Sequence, residues 1–421
     1  MASDEVRRPT QDPHAPSFRA SIDRPRSEPG ILRLPGHPLR LSTYAAETLT
    51  NRQFARFDLS PWDRYFLPPT IATLTDDPIL ESVAAIEDDN RSAILPEPAA
   101  TLDGQPFYLS VKGIGSTVDP FSLRRLDPSY AAELTDRSEV RERLRNAPAE
   151  SLGGVITGEL WLRGSPYGGQ GLGHATTAMG ISERAELTSI AGFRVAPVVK
   201  VAYLPPDLEA RLKSIHWYRR FPGRLVQELR LVPSNVRIYF HSRSTIGNDA
   251  NQVFDLFGVD SPARGHRFEV NFVRSGIALL TLFARTLRAE GGGDRISGLD
   301  FHDVWLDKDA VLAPDGTAYF VDLEGIEEVA VERTRVREKM EDQIYRSLYE
   351  FMFAYEQIER ERARRFGESG SRKRRFESVV EEALRAEPVV RAVSGPRGVV
   401  LRVRPGAGEE SLSLEFPLVD T

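Results

Sequence analysis

The chain has no cysteine and very few lysines, and both shortages limit the kinds of catalytic and binding site that it can form. Without cysteine, disulfides, thiolate metal sites and a cysteine nucleophile are excluded together. Seven histidines with no cysteine beside them also make a zinc site a poor expectation. Arginine supplies most of the 55 basic residues. The lysines that could bind phosphate are Lys112, Lys200, Lys213, Lys308, Lys339 and Lys373.

Long apolar runs are missing as well. No stretch approaches the roughly 18 apolar residues of a membrane-spanning helix. The first residues also lack the apolar segment of a signal peptide. We therefore expect a cytoplasmic protein with no membrane partner. A net charge of −6 gives no general attraction to nucleic acid, so a nucleic-acid partner is not expected either.

Composition and periodicity divide the chain into four parts. Residues 1–30 are poor in large apolar groups, which predicts a disordered tail. Residues 31–242 are predicted to form an irregular wrap and then a mostly β N-lobe. Residues 243–368 are predicted to form a mostly helical C-lobe. Residues 369–421 are predicted to form a linker, part of "GESGSRKRRFE" (367–377), followed by a helix and a small β-meander. Strands followed by helices indicate an α+β fold.

The helical part contains two periodic segments. The first, "RFEVNFVRSGIALLTLFARTLRAEGGG", is predicted to be one long helix closed by glycines. The second carries an apolar stripe at helical spacing, which predicts a core-facing helix and not a ligand-binding box. That stripe consists of Ile344, Leu348, Phe351, Met352, Tyr355 and Ile358.

The stretch "DAVLAPDGTAYFVDLEG" has the pattern of a strand, a turn and a strand. "APDG" is a turn signal between two apolar arms. Asp309 begins the first arm and Asp322 ends the second, so a hairpin places them side by side. Two carboxylates at the open end of a hairpin suit a hard cation such as Mg²⁺. The alternative is a surface hairpin with acidic decoration.

This hairpin matches the metal-binding segment of protein kinases. Their catalytic loop reads H-R-D-x-x-x-x-N, and a later strand ends in D-F-G. With His302 on the loop histidine, Asp309 falls on the metal-binding asparagine and Asp322 on the D-F-G aspartate. The position of the kinase base is Val304. Asp303 lies one residue earlier and Asp307 three residues later, and either could orient or deprotonate an acceptor hydroxyl.

A strand further upstream carries a candidate phosphate ligand. In "LDGQPFYLSVKGIG", the alternation predicts a strand that ends at Lys112. Kinase folds need such a strand lysine to bind the α- and β-phosphates. The alternative is a lysine on an edge strand, facing water. The glycine-rich segment 168–173 could cradle phosphate, although a tight turn before a short helix is the simpler interpretation. His174 is a further catalytic candidate, and His302 is expected to orient its loop.

Two segments resemble a known family. "KGIGST" and "MGISERAEL" are similar to conserved segments of the selenoprotein O family, over roughly 105–330. The resemblance implies a protein-kinase-like fold that transfers AMP from ATP to protein hydroxyls. The family's loop resembles H-G-V-x-x-x-D-N and shares the valine at Val304. Lys308 stands where the family has aspartate, and Asp309 where it has asparagine. The family glutamate that pairs with the strand lysine falls nearest to Gln170.

Taken together, these patterns predict a two-lobed protein-kinase-like fold with an irregular N-terminal extension and a C-terminal helix plus β-meander. The predicted function is an ATP- and Mg²⁺-dependent transferase that moves phosphate or AMP to a hydroxyl of an unknown protein or small molecule. A pseudokinase that binds nucleotide without turnover is the first alternative. The second is a non-kinase α+β protein.

Overall fold

The computed structural model describes residues 48–58, 85–86, 92–102, 104–112, 170–203, 206, 209–210, 223–234, 236, 250–290, 294–301, 306, 309–368, 371–385, 390–394, 398–403 and 412–417. Helices and antiparallel strands are both abundant in these ranges, which confirms the predicted α+β class.

The described strands are β1 (Thr48–Thr50), β2 (Ala85–Ile86), β3 (Ser92–Leu102), β4 (Gln105–Lys112), β5 (Gln170–Gly171), β6 (Val198–Tyr203), β7 (Leu225–Val232), β8 (Arg288–Ala289), β9 (Arg295–Phe301), β10 (Ala310–Leu312), β11 (Ala318–Phe320), β12 (Ile326–Glu332), β13 (Val390–Ser394), β14 (Gly398–Val403) and β15 (Leu412–Pro417). The described helices are α1 (Leu172–Ser182), α2 (Ala185–Ser189), α3 (Ala250–Leu256), α4 (Pro262–Leu280), α5 (Leu282–Arg285), α6 (Val336–Phe366) and α7 (Arg372–Ala383).

The largest sheet has seven strands in the order β1-β6-β7-β4-β3-β2, with β5 paired to β7. The strand predicted to end at Lys112 is confirmed as β4. β3 was not predicted, because its segment "SAILPEPAATL" contains two prolines that break the alternation. The pairing register between β3 and β4 shifts on both sides of Pro98. Such a bulge interrupts the regular backbone hydrogen bonding between the strands and so accommodates the prolines.

The β10–β11 hairpin is confirmed and lies between two apolar clusters. Its side chains alternate between the faces, as a pleated strand requires. One face packs on the large sheet through Val311, Ala313, Tyr319 and Val321. The other packs on the helices through Ala310, Leu312, Ala318 and Phe320. The hairpin is therefore buried on both faces, which excludes a surface hairpin with acidic decoration.

The first predicted long helix is shorter in the structure. α4 ends at Leu280, α5 covers one further turn, and β8 follows at Arg288–Ala289. At the break, the hydroxyl of Thr281 donates to the Ile277 carbonyl at 2.6 Å, a side-chain bond that competes with the helical ladder. The stretch "TLRAE" is therefore wrongly predicted as helix.

α6 is the long amphipathic helix that the apolar stripe predicted, with 31 residues. Ile344, Phe351, Tyr355 and Ile358 are buried, and the other two stripe residues are half-buried. The helix packs closely on α4, where a side-chain carbon added to Gly276 would overlap the ring of Phe351. Among the described helices, none combines the length and apolarity needed to cross a bilayer.

The predicted linker is wrong over most of its length, because "RKRRFE" begins helix α7. Ser371 caps this helix by accepting a hydrogen bond from the Arg374 amide. The basic residues are held by acidic groups on α6: Arg372 contacts Glu359 at 3.2 Å, and Arg375 also pairs with it. The C-terminal β-meander is confirmed as the three antiparallel strands β13, β14 and β15.

Candidate functional site

Lys112 occupies the end of an internal strand. β4 is hydrogen-bonded to β3 on one side and to β7 on the other, so the edge-strand alternative is wrong. The Lys112 side chain is 12% exposed. Its Nζ lies 3.3 Å from Oδ1 of Asp322 and 3.1 Å from Oε1 of Glu324. A buried ammonium needs such partners, since an unpaired charge in this position would be costly.

The two carboxylates reach Lys112 because the chain turns sharply after β11. Asp322 is the N-cap of a short 3-10 helix, Leu323–Gly325, and Glu324 lies within that helix. Leu323 is fully buried and anchors the turn in the core. Asp322 and Glu324 therefore lie on either side of the buried Leu323, and both contact the Lys112 ammonium.

The Lys112 site is charged at neutral pH. Burial alone would lower the pKa of the Lys112 ammonium, but Glu324 and Asp322 outweigh it and raise the pKa above its ordinary value. Burial would likewise raise the pKa of the Glu324 carboxyl. The charge of Lys112 and the neighbouring His174 instead hold that pKa well below the ordinary value. The pair is a true ion pair and not a neutral hydrogen bond.

His174 completes one side of the site from the first turn of α1. Its Nδ1 lies 3.9 Å from Oε1 of Glu324, and its side chain is 60% exposed. The Glu324 carboxylate raises the pKa of the His174 imidazole above its ordinary value, because it stabilises the protonated ring. His174 therefore gives Glu324 a second cationic neighbour when it is protonated.

A row of buried polar side chains continues from Lys112 across the sheet. Lys112 is paired in register with Glu228, and Ser110 with Arg230, so the four share one face of the sheet. Arg230 donates from Nε to Oε1 of Glu228 at 2.6 Å. Ser110, Glu228 and Arg230 are each at most 3% exposed. Burial of these charged groups is tolerated because Arg230 and Glu228 pair with each other.

Asp309 lies at the same end of the hairpin as Asp322. It precedes β10, is 2% exposed, and its carbonyl accepts the Val321 amide at 2.8 Å. The predicted placement of the two aspartates is therefore confirmed. Their carboxylate oxygens are the ligand type that Mg²⁺ prefers, and Mg²⁺ sites take one or two carboxylates plus phosphate oxygens and water. The described residues hold no group of three or more metal-ligating side chains. An Mg²⁺ ion held by these two carboxylates would need further ligands, such as phosphate oxygens and water.

Three of the predicted site residues lie outside the described residues: His302, Asp303 and Asp307. Gln170 is placed on β5, paired with Val226, and its side chain lies outside the described part. In the described structure Asp322 and Glu324 both contact Lys112, and Glu324 is the partner that sequence reasoning missed. The available signal was its position in "DLEG", two residues after the metal candidate.

A second cluster of charged side chains lies at the end of β9, directly before His302, the first residue of the predicted catalytic loop (called the candidate loop below). Asp300 is completely buried at the end of β9 and accepts bonds from Arg346 at 2.9 Å and Gln343 at 3.1 Å. Lys339 also contacts Asp300. Arg346 donates further to the Phe301 carbonyl, the last backbone acceptor before position 302. α6 thereby fixes the strand from which the loop departs.

No family model, no curated protein and no solved structure matches the chain.

Proposed function

We propose that the protein is an ATP- and Mg²⁺-dependent transferase of kinase-like fold, which moves phosphate or AMP to a hydroxyl acceptor. The observation that supports it is the convergence of Lys112 with Asp322, residues 210 positions apart in the chain. A strand lysine beside the aspartate that ends a buried hairpin is the arrangement in which kinases bind nucleotide phosphates and metal.

A two-lobed kinase-like architecture is part of the proposal. The sheet that carries Lys112 precedes the helical part of the chain, and helix α1 packs beside the Asp322 turn. The hairpin bearing Asp309 and Asp322 lies between sheet and helices. This order of elements supports a nucleotide cleft at the junction.

Each residue has a proposed role. Lys112 neutralises phosphate charge, and Asp309 and Asp322 hold Mg²⁺. Glu324 keeps the Lys112 ammonium oriented and charged, which is the role of the helix glutamate in kinases. His302 orients the loop, and Asp303 or Asp307 accepts the proton of the attacking hydroxyl. Because such transfers depend chiefly on positioning and charge neutralisation, the valine at the kinase base position does not exclude catalysis.

A binding module without turnover is the second candidate. Lys112 already contacts two carboxylates, and bound phosphate would have to share it with them. Lys308 also stands where the resembling family has a loop aspartate. These two features favour a pseudokinase that binds nucleotide but transfers nothing.

Nucleotide binding is tested first, by thermal shift with ATP and Mg²⁺. The proposed site requires stabilisation of the wild-type chain and its loss in Lys112→Met. Lys200→Met is the matched control, since Lys200 is a half-buried lysine on strand β6 of the same sheet. No stabilisation at millimolar ATP would exclude both the transferase and the pseudokinase.

Transfer is tested next, with ATP labelled at the γ- or the α-phosphate. Label from the γ-position identifies phosphate transfer, and label from the α-position identifies AMP transfer. Binding without either label supports the pseudokinase. Asp322→Ala should abolish any label, and transfer that survives this change would place the metal elsewhere.

A further inference from the structure

The middle of helix α6 carries aromatic side chains on its solvent face. Tyr345 and Tyr349 are 68% and 73% exposed, and among the described residues they are the large hydrophobic side chains that are exposed. The ring of Tyr349 stacks on that of Phe353, with the ring centroids 6.3 Å apart. Exposed aromatic side chains that cluster on one surface are typical of protein–protein interfaces.

This aromatic cluster, Tyr345, Tyr349 and Phe353, lies on the side of α6 that faces away from the core. Successive residues of a helix are rotated by about 100°, so Tyr349 points almost directly away from the buried Phe351 and Ile358. The solvent face of a helix in a globular protein is normally polar. An aromatic cluster at the centre of that face is therefore unusual for a helix that meets only water.

The charged side chains beyond the cluster differ in sign at the two ends of the solvent face. Glu338 and Asp342 lie toward the N-terminal end of α6, and Arg360 and Arg364 lie toward its C-terminal end. Each of these four side chains is at least 55% exposed. The solvent face thus has an acidic position at one end for each basic position at the other.

These charges are placed symmetrically about the middle of the helix. α6 covers Val336–Phe366, so its midpoint is Phe351. Three acids of the solvent face each have a base at the same distance on the other side of this midpoint. The pairs are Glu338 and Arg364 at 13 residues, Asp342 and Arg360 at nine residues, and Glu356 and Arg346 at five residues. Tyr349 and Phe353 are likewise each two residues from the midpoint.

This symmetry makes the solvent face complementary to itself. In a two-fold symmetric contact, residue i of one copy meets residue j of the other, and j meets i. Two antiparallel copies of α6 centred on Phe351 would oppose unlike charges in all three pairs and would place Tyr349 against Phe353 of the second copy. Antiparallel helices that cross at about 20° stay in contact over several turns, and α6 is about 46 Å long.

The charged side chains already have partners within their own chain. Glu338 lies 2.9 Å from Arg335, and Asp342 lies 2.8 Å from Arg346. The C-terminal arginines pair with glutamates of α6 in the same way. Exposed pairs of this kind contribute little to stability, so a second copy could share these charges at small cost. The order of the charges would select orientation and register, and the aromatic cluster would supply the apolar contact.

We propose that the solvent face of α6 is the interface of a two-fold symmetric dimer, in which α6 packs antiparallel against α6 of a second copy of this chain. The proposal does not rest on the transfer function, because Lys112, Asp309 and Asp322 lie on other segments of the chain.

Sedimentation velocity of the full chain tests the association between about 1 and 100 µM, the weak end of the range for interfaces of standard size. We expect a dimer in this range. The double variant Tyr345→Ser, Tyr349→Ser should dimerise at least about tenfold more weakly, because aromatic anchors carry much of the affinity of an interface. Its circular dichroism should match that of the wild type, since both side chains are exposed. A wild-type chain that stays monomeric throughout would overturn the proposal.

Charge reversal tests the register. Asp342→Arg would oppose two arginines in the dimer, and Arg360→Asp would oppose two aspartates, so each variant alone should dimerise at least about tenfold more weakly. The two variants mixed in equal amounts should form a heterodimer about as stable as the wild-type dimer, because each reversed charge then meets an unlike one. Glu381→Arg reverses an acid at an exposed position of α7 and is the matched control, which should leave association unchanged.

Two results would contradict the antiparallel contact even if the chain dimerises. Single reversals that associate as tightly as the wild type would assign the dimer to another surface or to parallel helices. The absence of cysteine also allows a single spin label to be attached at Arg337→Cys. Arg337 lies 14 residues from Phe351, so the antiparallel dimer requires two labels about 40 Å apart. A separation near 10 Å would indicate parallel helices and would overturn the proposal.

Discussion

Glu324 and Lys112 lie 212 positions apart in the chain, and their side chains meet at 3.1 Å. Glu324 follows the metal candidate Asp322 by two residues, so one turn supplies both carboxylates that contact the lysine. In protein kinases the partner of the strand lysine comes from a separate helix. Here the lysine partner and the proposed metal ligand belong to one short segment, and movement of that segment would affect both together.

Glu324→Gln should destabilise the protein, because Lys112 stays buried with only one carboxylate. We expect a loss of about 1–3 kcal/mol in the free energy of unfolding, measured in urea at pH 7. Glu327→Gln is the control, since Glu327 is an exposed glutamate on the following strand β12. A loss no larger than that of the control would show that Asp322 alone compensates the lysine.

His174 should make stability depend on pH in a defined window. Its pKa is raised in the folded state, so its contribution is complete below the unfolded value near 6.5 and is lost as pH rises through the folded value. Wild type should therefore exceed His174→Gln in stability at pH 6, and the difference should vanish at higher pH. The exposed side chain limits the difference to below about 1 kcal/mol.

The pH profile of the His174→Gln comparison separates this effect from simple loss of packing. A packing loss would give the same difference at every pH. Urea unfolding of both chains at several pH values between about 5 and 9 decides between the two. A difference that grows with pH would have the wrong sign and would contradict the Glu324 contact as its cause.

The parts of the site that local patterns control were predictable. Alternation placed Lys112 at the end of a strand, and a turn signal between two apolar arms placed Asp309 and Asp322 at one end of a hairpin. Each pattern lies within one short segment, residues 105–112 or residues 309–322, where side-chain period and turn chemistry decide the conformation.

The parts that tertiary packing controls were not predictable. Glu324 reaches Lys112 because burial of Leu323 fixes the 3-10 turn, and no local pattern encodes that orientation. The polar row through Glu228 depends on strand register between distant segments. The start of α7 was missed because its basic residues suggest a solvated linker, whereas Glu359 on α6 neutralises them.

Glu269 should make the stability of the fold decrease as pH rises, whereas a surface acid in an ion pair makes it increase. Burial raises its pKa to about 6, although Arg362 and the Tyr355 hydroxyl at 2.7 Å oppose this effect. The folded state therefore keeps its proton over a range where the unfolded state has lost it, and stability falls as pH rises from about 4.5 to about 6. The loss should amount to about 2 kcal/mol. Glu269→Gln should lack this slope when both chains are unfolded in urea across that range.

The last prediction concerns two aspartates that share the same basic partners in different surroundings. Asp300 is completely buried and Asp342 is 55% exposed, yet both contact Arg346 and Lys339. Asp300→Ala leaves two cations without their buried partner and should cost about 3–5 kcal/mol in the free energy of unfolding. Asp342→Ala removes a solvent-screened partner and should cost less than about 1 kcal/mol. Similar losses in the two variants would show that the cluster is screened by water and does not fix the end of β9 from which the candidate loop departs.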